Sequence, residues 1–169
     1  MSTADSLLPE FDHEMGVTRR LLERVPEAKA SWKPHQKSFS LGDLSAHIAS
    51  LPSFASAALK LTELDMNPPG GQPYTPPTFG STAATLKMFD DNVKAARVAI
   101  AGTSDGEMMA IWTLKSGGKE IFSMPRAAVL RSMVMNHLIH HRGQLSVYLR
   151  EQDVPLPSIY GPSADEGAL

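Results

Sequence analysis

No cysteine occurs in the 169 residues. That excludes a disulfide scaffold, a thiolate-held zinc or iron–sulfur centre and a protein thiol as nucleophile, and it leaves histidine and carboxylates as the strong metal ligands. Positive charge is not in excess either: 16 Lys and Arg face 18 Asp and Glu, a formal charge of -2. With no basic field to hold a polyanion, nucleic acid is not expected as a partner. No uncharged apolar run approaches the roughly 20 residues that cross a bilayer, and the start, MSTADSLLPEFDHEM, has neither a basic opening nor an apolar stretch. The expectation is a cytoplasmic protein with no membrane partner. Glycine and proline, at 12 and 13 residues, are too few for a collagenous or low-complexity chain. What is present, 42% hydrophobic and 20% charged residues, is an ordinary globular mixture, and the length predicts one domain over residues 1–169.

Apolar residues Leu8, Phe11, Met15, Leu22 and Val25, with semi-polar Thr18, recur at steps of three and four and predict a first helix over about 3–25. The segment FSLGDL starts a second, with Ser40 as N-cap, Asp43 three residues on and Phe39 placed to staple onto Leu44. This helix is expected to reach about residue 65, bent or broken at Pro52, which lacks a backbone donor and crowds the preceding turn. Residues 67–80, with five prolines and three glycines, form a connection too broken for helix or strand. A third helix follows, capped by Ser81 or Thr82, with a seam of Leu86, Phe89, Val93, Ala96 and Ile100 and a stop at Gly102. Residues 110–124 predict a hairpin turning at Ser116-Gly117-Gly118-Lys119. The fourth helix opens near Ser123 and Pro125 and runs through Arg150; the tail, 153–169, is expected to pack extended at first and to fray at its end. The fold class expected is all-α, a four-helix bundle with a small β-hairpin between helices 3 and 4.

The chemistry-bearing segment is NHLIHHRGQL. His137 and His141 are four residues apart, so on a helix they lie about 40° apart around the axis and about 6 Å apart along it. On an α-helical wheel Leu130, Met133, Val134, Gln144, Leu145 and Tyr148 fall on the same side, which puts both imidazoles within the apolar stripe. Two buried imidazoles could not both be charged cheaply, and a shared divalent cation would satisfy their ring nitrogens. His47 occupies a similar apolar face of the second helix and is the natural third ligand, although a lone histidine at such a place is ordinarily a core residue. Three imidazoles would leave a coordination position for water or substrate, the pattern of a catalytic rather than a structural site. His140, about 60° to one side, reads as an edge donor or a group behind the ligands, and His13 and His35 as solvated. Arg142 and Gly143, about 140° and 120° from His137, are expected on the outer side of the helix, with Gly143 open to close approach by another helix. Two roles are open to Gln144 and Tyr148: orienting substrate, or supporting the ligand and core respectively.

Four segments together, LGDLSAHIASLPSF, WTLKSGGKEIFSMPR, NHLIHHRGQLSVYLR and VPLPSIYGPSADE, resemble the DinB/YfiT-like metalloenzymes over nearly the whole chain. The resemblance implies a four-helix bundle, a divalent metal such as zinc or nickel held by His47, His137 and His141, and a homodimer. Some relatives are transferases or isomerases that use low-molecular-weight thiols. The expectation is therefore a metal-dependent enzyme acting on a small-molecule substrate, with such a thiol as the preferred cosubstrate. Without a cysteine of its own, the chain would have to take any sulfur nucleophile from outside. A metal-dependent hydrolase and a non-catalytic metal-binding bundle are the alternatives.

Overall fold

The computed structural model describes residues 2–167, so residues 1, 168 and 169 at the ends of the expected domain and tail lie outside the described residues. The chain is mostly helical, with one small sheet. Helix α1 (Thr3–Leu22) is started by a reciprocal capping box: the Ser2 hydroxyl accepts from the Asp5 backbone and the Asp5 carboxylate accepts from the Ser2 backbone. It ends three residues earlier than the apolar pattern predicts, and Val25 is buried from the following turn. Its apolar side chains, Leu7, Phe11, Met15, Leu21 and Leu22, are buried in the main core. Each such burial contributes about 1.5–3 kcal/mol.

Helix α2 (Leu41–Ser50) begins where Ser40 accepts from the Asp43 backbone. The expected break comes at Leu51–Pro52, and α3 (Ser53–Lys60) continues beyond it. The helix does not reach residue 65 as expected: it ends at Lys60, and Glu63–Asp65 is a strand, β1. Phe39, which precedes the cap, is half exposed and stacks on His47.

After the proline-rich connection, α4 (Thr82–Ala101) starts at Ser81, whose side chain accepts from the Ala84 backbone, and stops at Gly102. It packs against α1, α2 and α3. A five-residue helix that the apolar pattern did not reveal, α5 (Asp105–Met109), leads into β2 (Ile111–Ser116) and β3 (Lys119–Pro125). Gly117 and Gly118 both have positive φ, 63° and 76°, the values a two-residue hairpin turn of this twist requires. The hairpin is not alone: β1 pairs parallel with β2, Glu63 opposite Thr113 and Leu64 opposite Leu114. The Asp65 carboxylate accepts from the backbones of Gly117 at 3.1 Å and Gly118 at 2.7 Å, pinning the turn to β1.

The last long helical stretch is not uniform. Ser123 lies in β3 rather than capping a helix, and the helix begins after Pro125 as α6 (Arg126–Val129). It widens to π-type i→i+5 bonding over Leu130–Asn136 and resumes as α7 (His137–Glu151). The main core joins α1, α2, α4 and α7, while Trp112, Leu114, Val129 and Ala58 form a second cluster under the sheet. The tail is tied down rather than frayed through Glu166, because Asp165 pairs with Arg150 and Glu166 with Arg24.

Candidate metal centre

His47 sits nearly two turns into α2, a position set by the cap at Ser40, and His137 opens α7 immediately after the widened turn. The two Nε2 atoms are 3.4 Å apart, and Nε2 of His137 is 3.0 Å from Nε2 of His141. The three side chains each offer a nitrogen within 4.8 Å of the others, and among the described residues no fourth His, Cys, Asp or Glu joins them. The structure thus brings together the three histidines singled out from sequence.

Their surroundings favour neutral rings. Burial lowers the His47 pKa to about 4, and the neighbouring His141 and His137 push it the same way. Burial also lowers His137 and His141, against the opposing hydrogen bonds of their rings to the Met133 backbone and to Gln144. Neutral imidazoles are the form that donates a lone pair to a metal.

The outer nitrogen of His141 is engaged. His141 Nδ1 is 2.8 Å from Gln144 Oε1, and Gln144 Nε2 is 3.1 Å from His140 Nε2. An amide oxygen only accepts, so His141 carries its proton on Nδ1 and turns the Nε2 lone pair inward, while the amide nitrogen donates to His140. Phe39 stacks on His47 with centroids 5.5 Å apart and 17° between planes, holding a ring that has no comparable partner. Phe39 was not recognised as a site residue; its place one residue before the cap of the His47 helix was the available signal.

Other expectations divide. His13 and His35 are exposed, as anticipated, and His140 is exposed with its ring against the Gln144 amide. Tyr148 is half buried and packs edge-on against Trp32 at 5.4 Å, which is a core role. Gly143 is exposed with nothing near its missing side chain, so no helix approaches there. Arg142, expected on the outer side of the helix, is buried and paired with Glu14 of α1, so that side of α7 is covered by protein.

Beside the cluster lies a chamber of about 260 Å³, reached from His47 and His137 and walled mainly by apolar side chains from α2, α3, β1, β2 and the widened turn. A second depression of about 430 Å³ is bounded by Phe39, Asp43, His47 and the loop residues Tyr74, Pro76, Pro77 and Thr78. The proline-rich connection therefore borders the site.

Comparison with known proteins gives a consistent picture. A family model described as the DinB superfamily matches residues 10–145. The chain is 24% identical over 170 residues to "Uncharacterized protein YrdA" of Bacillus subtilis (strain 168), covering 98% of this chain and 93% of that protein. A DinB-like protein from Bacillus cereus ATCC 10987 has the same fold at TM-score 0.71 and 21% identity, over 92% of this chain and 97% of the other. The DinB-like protein YjoA of Bacillus subtilis aligns at TM-score 0.66 and 20% identity, over 91% and 97%.

Proposed function

The chain belongs to the DinB superfamily, and from that premise we propose that it is a metal-dependent enzyme whose divalent ion, zinc or nickel, is held by His47, His137 and His141. The observation that carries this reading is the convergence of three inward-facing imidazole nitrogens, 3.4 Å and 3.0 Å apart along the series, at the edge of a chamber. Depressed ring pKa values and the Gln144 contact suit the same role, because each keeps a lone pair available for an ion. We read the helices as a four-helix bundle in which α2 and α3 count as one broken member.

An ion in this position would lower the pKa of a thiol or water bound to it. A low-molecular-weight thiol is the preferred cosubstrate, making the protein a transferase, since the chain has no cysteine to supply sulfur. The chain's own residues orient and shield: Gln144 fixes the tautomer of His141, Phe39 covers His47, and the chamber beside them is walled mainly by apolar side chains. The absence of a fourth protein donor in the cluster, among the described residues, favours catalysis over a closed structural site. A cytoplasmic homodimer is the expected setting.

The test is metal uptake followed by turnover. The purified protein should bind one equivalent of zinc or nickel, and His47→Ala or His137→Ala should abolish it. Undiminished uptake by either variant would remove the basis for the assignment. With uptake established, a panel of cellular thiols and a generic electrophile should react faster with the loaded protein than with the His137→Ala variant.

A further inference from the structure

The chamber beside the histidines has a chemical character that the metal reading does not require. Its walls are Leu51, Phe54, Leu64, Met66, Leu114 and Met133, drawn from separate parts of the chain, and no Asp, Glu, Lys or Arg lines it. The polar groups at its lining are already committed or peripheral. The Ser50 hydroxyl donates to the His47 carbonyl at 2.7 Å and the Ser53 hydroxyl to the Ser50 carbonyl at 2.7 Å, so neither has a proton to offer a ligand. Tyr74 stands half exposed. A carboxylate or ammonium carried into this space beyond the histidines would lose its water and find no side chain of opposite charge, a cost that hydrocarbon does not incur.

We propose that the substrate reacting at the histidines carries an uncharged hydrocarbon group that fills this chamber, while any charged part of the molecule stays outside it. This deepens the metalloenzyme reading, and rests on it for where the reacting head is placed. Size narrows the class. Cavities near 150 Å³ admit benzene, and ligand pockets for drug-sized molecules begin near 300 Å³. At about 260 Å³ the chamber suits a group larger than one aromatic ring and smaller than a drug-sized ligand, such as a medium alkyl chain or a substituted aryl. The site would thus discriminate by charge and length of the buried group, with Ala57, which also lines the space, setting one of its limits.

Two measurements on the full chain test this separately from metal binding. In metal-free protein with methyl-labelled methionine, hexanol should shift the Met66 and Met133 resonances, and adipate, which is charged at both ends, should not at equal concentration. With zinc bound, affinity for straight-chain thiols from ethanethiol to hexanethiol should rise about threefold to fourfold per methylene, and the same chains ending in carboxylate should lose that gain. Ala57→Phe should flatten the length dependence without changing zinc stoichiometry; the comparison of chains on the unmodified protein holds even if this variant does not fold. Equal response to hexanol and adipate, or no response to either, overturns the proposal whether or not zinc binds. Hexanol-specific shifts in a protein that takes up no metal would sustain the chamber assignment and defeat the metalloenzyme reading instead.

Discussion

Arg142 and Glu14 join α7 to α1 through an ion pair at 2.6 Å, with 2% and 6% of their side chains exposed. The guanidinium also donates to the Glu14 carbonyl, the Thr18 hydroxyl and, at 2.7 Å, the Tyr160 hydroxyl, which in turn donates to the Glu14 carboxylate. Arg142 directly follows His141, so one face of α7 is locked to α1 and the tail while another presents the histidines. Removing one partner of a buried pair leaves a charge with no counter-charge, so Glu14→Ala should lower stability by about 3–5 kcal/mol in urea titration. The apolar double replacement Glu14→Leu with Arg142→Met should cost less than Glu14→Ala alone, and an equal or larger loss would contradict this account. Tyr160→Phe, which removes only the bridging hydroxyl, should cost about 1 kcal/mol.

Gln144 touches no ligand position directly, yet it fixes which nitrogen of His141 faces inward. Gln144→Ala should weaken zinc or nickel binding about 10–100-fold while leaving the stoichiometry at one. Calorimetric or chelator-competition affinities measure this. A variant that binds as tightly as the parent would show that the hydrogen bond does not orient the ring.

Acid should destabilise the metal-free protein through the histidines. In the unfolded chain an imidazole titrates near 6.5, whereas burial and then the adjacent rings hold His47 at about 4 in the folded one. Between those values the unfolded state binds protons that the folded state refuses, so stability is complete above about pH 6.5 and falls as pH drops toward 4. His137 and His141 are lowered in the same direction and add to the slope. Urea midpoints taken across this range should decline, and His47→Phe should make the decline shallower. Bound zinc should protect the fold until protons displace it.

Gly42 is buried where α2 passes the end of the proline-rich connection. A methyl group there would stand 2.9 Å from Phe79 Cβ and 3.1 Å from Ala30 Cβ, closer than carbon atoms allow without movement. Gly42→Ala should therefore cost about 1–3 kcal/mol. An unchanged thermal midpoint would mean that Phe79 moves aside freely.

The parts of the fold written in local chemistry could be read from sequence. Ser40 and Ser81 cap helices where their side chains precede apolar periodicity, Pro52 breaks its helix, and two glycines make the hairpin turn. The spacing of His137 and His141 located the site, and His47 joins them in space. What escaped depends on distant partners. Glu63–Asp65 becomes a strand only because β2, some fifty residues on, supplies a neighbour. The outer side expected for Arg142 gave no sign of its partner, because a helical wheel gives direction and not what lies there; α1 provides a carboxylate at that place. The chamber walls come from too many segments for any one of them to announce it.

The widened turn over Leu130–Asn136 has a consequence for chain length. Its i→i+5 rings hold more residues than α turns would over the same rise. Loss of a single residue within it can be absorbed by tightening to ordinary winding, with the flanking helices kept in phase. The same loss between His137 and His141 would rotate His137 out of step with His141 and Arg142. A scan of one-residue deletions should accordingly find Leu130–Asn136 more tolerant than the segment between His137 and His141.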